Sequence, residues 1–187
     1  RSRSAIVSLG APSRFSRIEQ ACRLVLGRFT LAQADAYRVI SAYCRTLLPL
    51  SAKPVYVFPT FTDLESFAAP SAACVSEMAV AYGTGFFISA GMLIPLKGLH
   101  HLIRAFADVV GKHPEARLIL AGKGKEEQNL RQMTRDYGIG DQVTFVGHLE
   151  QTVLAALIKN AIAFVLPSLT EGLGRVAIEA QLLGKPV

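Results

Sequence analysis

The sequence predicts an α/β fold: a parallel sheet with helices on both faces. Two observations predict it. From Gly83 to Val187, short runs that are apolar throughout alternate with amphipathic stretches of helical period, joined by short connections. The strand runs also lack the in–out alternation of a sheet with one wet face, so both faces are covered.

The elements follow in order. "FFISAG" (86–91) is a buried strand ending in glycine. "LHHLIRAFADVV" (99–110) puts Leu99, Leu102, Ile103, Phe106 and Val110 on one helical face, and Gly111 and Pro114 stop it. "RLILAG" (117–122) is the second strand. Residues 126–138 form a polar helix with Leu130, Met133 and Tyr137 as its stripe and Gly138 as its stop. "VTFVG" (143–147), "TVLAALIKNA" (152–161), "AFVLP" (163–167) and residues 174–183 continue as strand, helix, strand and helix. In such sheets ligands bind beyond the carboxyl ends of the strands. The loops that carry chemistry, 91–98, 122–125, 147–151 and 168–174, all belong there.

The first 80 residues differ. "RIEQACRLVLGRF" reads as helix, and "YRVIS" (37–41) and "VYVFP" (55–59) read as strands flanking a short helix near Cys44 to Leu48. "FAAPSAACVSE" (67–77) is Ala-rich and Pro-broken and reads as a linker. The expected division is residues 1–66, a linker over 67–82, and a second domain over 83–187.

Composition narrows the function. The chain is 51% hydrophobic and 18% charged, which suits a globular fold. Its longest apolar run, "FFISAGMLIPL", falls short of the roughly 20 residues a spanning helix needs. Cys22, Cys44 and Cys74 are too few and too scattered for a disulfide framework or a metal site, and read as reduced, packed thiols of a cytoplasmic protein. The net charge of +6 belongs to residues 1–50, where eight arginines face only Glu19 and Asp35. That excess suits an anionic lipid surface or nucleic acid, but a solvated helix face is the preferred reading. The arginines are dispersed and no aromatic interleaving supports nucleic-acid binding.

Site chemistry concentrates in "LPSLTEGLGRVAIEAQLLGKPV". Residues 172–174 sit where a helix begins, so unpaired amides and the helix dipole favour an anion there. The glycines at 172 and 174 let a phosphate approach the backbone. Glu171 stands at the rim, able to accept hydrogen bonds from hydroxyls. Glu179, one to two turns into the helix, leans back toward the same ligand. The spacing suits polyol, phosphate and polyol in series, as in a nucleotide sugar. Ordinary capping accounts for either glutamate alone; the pair with its glycines and strand context favours the ligand. Lys97, before Gly98, should project over the strand ends, where charge-assisted bonds to a leaving phosphate contribute about 1.5–3 kcal/mol each. A solvated helix-entry lysine is an equal reading of that residue alone. Of His100 and His101, at the helix start, one reads as packed or capping and the other as solvated, and His148 reads as a surface-loop residue. "GKGKEE" has Glu127 at the third glycine of a dinucleotide fingerprint, and "LLGKPV" lacks the residues of a P-loop.

From about Ala34 to Val187 the chain resembles the group 1 glycosyltransferases, retaining GT-B enzymes that use nucleotide-sugar donors. "ADAYRVIS" and "VFPTFTDLESF" resemble the end of the family's first domain. "SAGMLIPLKGLHHLIRAFADVV", "ARLILAGKGKEEQNL", "DQVTFVGHL" and "AFVLPSLTEGLGRVAIEAQLLGKPV" resemble its donor domain in order and spacing. Glu171 and Glu179 stand as its E-x7-E pair. The resemblance implies that residues 1–66 end an acceptor domain and that 83–187 bind the donor. Glu171 would contact the donor hexose near the reacting centre, and Glu179 the ribose hydroxyls. The backbone of Gly172, Leu173 and Gly174 would hold the distal phosphate. Lys97 would stabilise the departing diphosphate, with Gly91 at the strand end beside it. No metal and no cofactor are expected, because Lys97 and the helix terminus supply the positive charge.

The sequence departs from the family at Met92, where a second, arginine clamp on the diphosphate is usual; Arg175 is a candidate substitute. The family also continues beyond Pro186 and Val187, and its acceptor groove and usual catalytic His lie upstream of Arg1. The expectation is a fragment that transfers no sugar alone. The implied partners are a nucleotide-sugar donor and a glycan or lipid-linked acceptor, with peripheral contact to an anionic membrane face through the basic first segment. The alternatives are a sugar phosphorylase or nucleotide-sugar epimerase of the same fold, or a non-catalytic nucleotide-sugar-binding module.

Overall fold

The structure, a computed structural model, describes residues 17–48, 53–58, 67 and 69–187. Arg1, Arg3 and Arg14 of the basic segment, and Pro59 at the end of the second expected strand, lie outside these residues. The chain forms two compact units, Arg1–Thr60 and Phe61–Val187.

The first unit contains α1 (Arg17–Gln33), β1 (Tyr37–Val39), α2 (Ala42–Thr46) and β2 (Val55–Val57). β1 and β2 pair in parallel, Tyr37 opposite Val55 and Val39 opposite Val57. The end of α1 is capped from outside the helix. Tyr37 Oη donates to the Leu31 carbonyl at 2.9 Å, and Lys53 Nζ donates to the carbonyls of Leu31 and Ala32. A cation at these carbonyls complements the negative end of the helix dipole. Ser41 caps α2 by accepting from the Cys44 amide at 3.2 Å.

The second unit is built on four parallel strands in the order β5-β4-β3-β6: β3 (Phe86–Ala90), β4 (Leu118–Ala121), β5 (Val143–Gly147) and β6 (Ala161–Phe164). Its helices are α3 (Ala72–Tyr82), α4 (Leu99–Val110), α5 (Glu127–Asp136), α6 (Gln151–Asn160) and α7 (Arg175–Leu182). The pleat sorts the core into two layers. Phe86, Ile88, Ile119 and Phe164 pack with Leu157 and Ile158 of α6 and Ala180 of α7. Leu118 and Leu120 pack on the other side with Ile103 and Phe106 of α4 and Leu130 of α5. Both faces of the sheet are covered, as the apolar strand runs require.

Element boundaries shift for local reasons. α6 ends at Asn160, whose side-chain amide donates to the carbonyls of Val75 and Ala156 at 2.9 and 3.1 Å. Ala161 is then free to begin β6, two residues earlier than the apolar run suggests. Arg117 stays out of β4 and donates to the carbonyls of Tyr82 and Thr84 at 3.0 and 2.6 Å, fixing the turn between α3 and β3.

The expected linker over 67–82 is corrected. Phe67 is fully buried in the core of the second unit, and residues 72–82 form α3, packed against α6. Pro70 precedes the helix rather than breaking it, because Ser71 is the N-cap and accepts from the Cys74 amide at 3.2 Å. The stretch read as a linker is a helix whose alanines Ala72, Ala73 and Ala81 are exposed and whose Met78 and Tyr82 pack against the core. Among the described residues no helix is long and apolar enough to cross a membrane.

Parallel pairing brings every strand end to one edge, where the loops are laced together by backbone bonds. Gly91 N–H donates to Ala121, Leu93 to Lys123, and Gly122 to Gly147, at 2.9, 3.0 and 2.6 Å. Leu169 N–H donates to the Leu96 carbonyl at 3.0 Å. Gly98 has φ +63°, and a Cβ there would lie 2.1 Å from the Pro167 carbonyl oxygen.

Two stability measurements test this architecture. Phe67→Ala should lose about 3–5 kcal/mol in urea unfolding, the cost of emptying an aromatic core site; a linker residue would lose almost nothing. Gly98→Ala should lose roughly 2–4 kcal/mol, combining left-handed backbone strain with the clash against residue 167. An unchanged urea midpoint would contradict the close approach.

Candidate functional site at the carboxyl edge of the sheet

Two loops build the centre of the site. The first leaves β3 at Gly91, runs through a 3-10 turn over Pro95–Lys97, and enters α4 after Gly98. Pro95 suits the first position of that turn, and the left-handed Gly98 ends it, which leaves Lys97 at the turn's end. The lysine stem passes Gly91 closely, for a Cβ at residue 91 would lie 3.7 Å from Lys97 Cε. The second loop leaves β6, carries Pro167, Ser168 and Glu171, and enters α7 through Gly174 at φ +65°.

These loops bring Lys97 and Glu171 into contact across 74 residues of sequence. Lys97 Nζ lies 2.5 Å from Glu171 Oε1, and Ser168 Oγ donates to the same oxygen at 2.6 Å. The two charged side chains are 24% and 26% exposed, so water screens the pair less than it would a surface ion pair. A cleft opens beside them, lined by Gly91, Met92, Lys97, Leu166, Pro167 and Ser168.

The remaining expected residues lie at the start of α7. Gly174 is its N-cap; Gly172 and Leu173 form the bend before it, half-buried. The start of α7 carries the positive end of its dipole, and among its first amides that of Ala177 already donates to the Gly174 carbonyl at 2.9 Å. Glu179 is 5% exposed and pairs with Arg175, one turn earlier, at 3.7 Å. That places the Arg175 guanidinium along α7 beside Glu179. Met92 stands at the cleft rim, 61% exposed. His148 is exposed after β5, and the His100 and His101 rings lie 3.9 Å apart at the start of α4.

The structure thus gathers Lys97 and Glu171 into one cluster and places Glu179 in a second, with Arg175. Sequence reading gave Lys97 and Glu171 different parts of a ligand and did not foresee their direct contact. It also missed Ser168. A signal was present: Ser168-Leu-Thr-Glu171 spells a capping box, S-x-x-E. Here the serine binds the glutamate side chain itself. Chemically, the cluster offers a cation, a carboxylate and a hydroxyl beside a helix N-terminus, a set that matches an anion linked to a polyol.

The chain is similar to several known proteins. A mannosyltransferase of Corynebacterium glutamicum, GDP-mannose-dependent and acting on monoacylated alpha-(1-6)-phosphatidylinositol monomannoside, is 36% identical over 102 residues, covering 51% of this chain and 26% of the relative. Sucrose-phosphate synthase from Thermosynechococcus elongatus superposes with a TM-score of 0.76 at 30% identity, over 92% of this chain and 45% of the other. Anabaena HepE, solved with UDP and glucose, superposes with a TM-score of 0.75 at 24% identity, over 92% of this chain and 48% of the other. The chain therefore spans about a quarter of that mannosyltransferase and under half of either solved chain. The fold is that of the GT-B enzymes. The family model described as "Glycosyl transferases group 1" matches residues 79–187, more than half of the sequence, and the chain belongs to that family.

Proposed function

We propose that this chain carries the donor side of a retaining glycosyltransferase, which moves a hexose from a nucleoside diphosphate sugar to a glycan or lipid-linked acceptor. The observation that carries the reading is the Lys97–Ser168–Glu171 cluster, assembled at the carboxyl edge of the sheet in a chain of this family. The relative named for GDP-mannose and the HepE complex with UDP and glucose support a nucleotide-sugar donor.

In this reading the diphosphate lies between the amides at the start of α7 and the Lys97 ammonium. The hexose hydroxyls face Glu171, and the ribose hydroxyls face Glu179. The bond from the anomeric carbon to the diphosphate oxygen breaks, and its electron pair moves onto the diphosphate. Lys97 and the helix dipole stabilise that charge where it develops. The acceptor oxygen attacks the face from which the diphosphate departs, so the anomeric configuration is kept. That approach sets the acceptor hydroxyl beside the departing oxygen, which takes its proton. Positive charge from Lys97 and the helix terminus does the work a metal would do in other transferases. Contact with an anionic membrane rests on the charge of the first 50 residues alone, and no step depends on it.

Calorimetric titration of the full-length protein with UDP, UDP-glucose, GDP and GDP-mannose tests the reading. At least one pair should bind, and Lys97→Met and Glu179→Ala should each weaken it by about tenfold or more. Binding of none of the four, or no loss in either variant, refutes the donor site. Met92→Arg adds a cation at the cleft rim and should tighten the nucleotide by about tenfold, the worth of one charge-assisted contact; unchanged affinity would place the diphosphate away from residue 92.

A further inference from the structure

Lys97 and Glu171 are assigned to different parts of the donor, yet in the structure they hold each other. A diphosphate that reaches Lys97 must compete with the Glu171 carboxylate for the same ammonium. We propose that Ser168 is the positioning residue of this site: it keeps Glu171 in place when the donor's diphosphate draws Lys97 away from the carboxylate. The inference rests on the donor-site reading above.

The geometry carries it in three steps. First, both donors meet the same carboxylate oxygen, Oε1, at 2.5 and 2.6 Å. Among the described residues no hydrogen bond reaches Oε2, so that oxygen can accept from a sugar hydroxyl without displacing either donor. Second, the two donors differ in freedom. The lysine head has three donors on a flexible four-carbon stem and turns readily between partners. The serine has a single short rotor, three residues before Glu171 on the same loop. Third, the backbone need not move when the partners change. The Leu169–Leu96 bond and the contact of Gly98 with the Pro167 carbonyl tie the two loops together beneath the side chains. Only the lysine head has to swing. Without Ser168, the half-buried Glu171 carboxylate would then retain no donor among the described residues and would lose its orientation toward the sugar. A half-buried anion without a partner is costly, so the serine also makes release of Lys97 easier.

The exchange separates binding of the diphosphate from binding of the sugar. The test measures dissociation constants of the full-length protein for UDP against UDP-glucose and for GDP against GDP-mannose, in the parent chain and in Glu171→Gln, Ser168→Ala, Ser168→Thr and Lys97→Met. Glu171→Gln removes the competitor for Lys97, so the nucleoside diphosphate alone should bind about threefold tighter or more. Ser168→Ala should lower the sugar's contribution, read as the ratio of the two dissociation constants, by about tenfold. Ser168→Thr, which keeps the hydroxyl, should hold that ratio within about twofold of the parent. An unchanged ratio in Ser168→Ala overturns the proposal. So does a Glu171→Gln chain that loses diphosphate affinity as Lys97→Met does, or a Ser168→Ala chain that loses diphosphate and sugar affinity alike. If the parent binds none of the four nucleotides, the donor-site reading falls and takes this inference with it. If it binds them and the serine variants fail the ratio test, only this inference falls.

Discussion

The Pro167 carbonyl can lie against the Cα of residue 98 only because residue 98 is glycine. The site geometry depends on that approach. It sets how closely the loop leaving β3 can approach the loop leaving β6, and so whether a lysine on one can touch a glutamate on the other. The Leu169–Leu96 backbone bond fixes the same approach in the second dimension. Together they convert two loops, the parts of an α/β fold most tolerant of change, into a rigid seat for a charged pair.

The same edge is built by repeated close approach of backbones. A Cβ at Gly122 would lie 1.8 Å from the Gly91 carbonyl oxygen, and one at Gly124 would lie 2.2 Å from that of Leu93. Bulkier residues would separate the strand-end loops and open the cleft. The sheet beneath supplies the reference frame. Its core layers, filled by Phe86, Ile88, Leu118 and Leu120, let the strand ends be held while the loops carry the polar chemistry.

Two opposite-charge pairs stand at this edge, where the loop after β4 also carries the exposed Lys123 and Lys125. Lys97 is matched by Glu171 and Arg175 by Glu179. For the donor proposed above, a diphosphate would meet these four side chains already paired, so the proposal requires a cation to be redirected rather than a positive hole to be filled. That favours a mobile lysine head over a rigid guanidinium at position 97, since a point charge on a long stem can change partners with little loss of geometry. Nearly buried Glu179 is a different kind of acid. Its place on α7 is set by packing, with Ala180 beside it in the core.

Sequence alone determined the second unit's strand and helix order, because buried parallel strands and amphipathic helices differ in hydrophobic period, and the period is local. It also placed Gly91, Lys97, Glu171, Gly172, Leu173, Gly174 and Glu179 at one edge, since a parallel sheet sends every strand end the same way. It misread residues 67–82, where alanines and a proline carry no periodic contrast and only packing against α6 reveals a helix. The S-x-x-E spacing hinted at a Ser168–Glu171 bond, but the contact of Lys97 with Glu171 was decided by tertiary structure alone. It depends on how closely two loops 74 residues apart approach each other, and no local pattern encodes that approach.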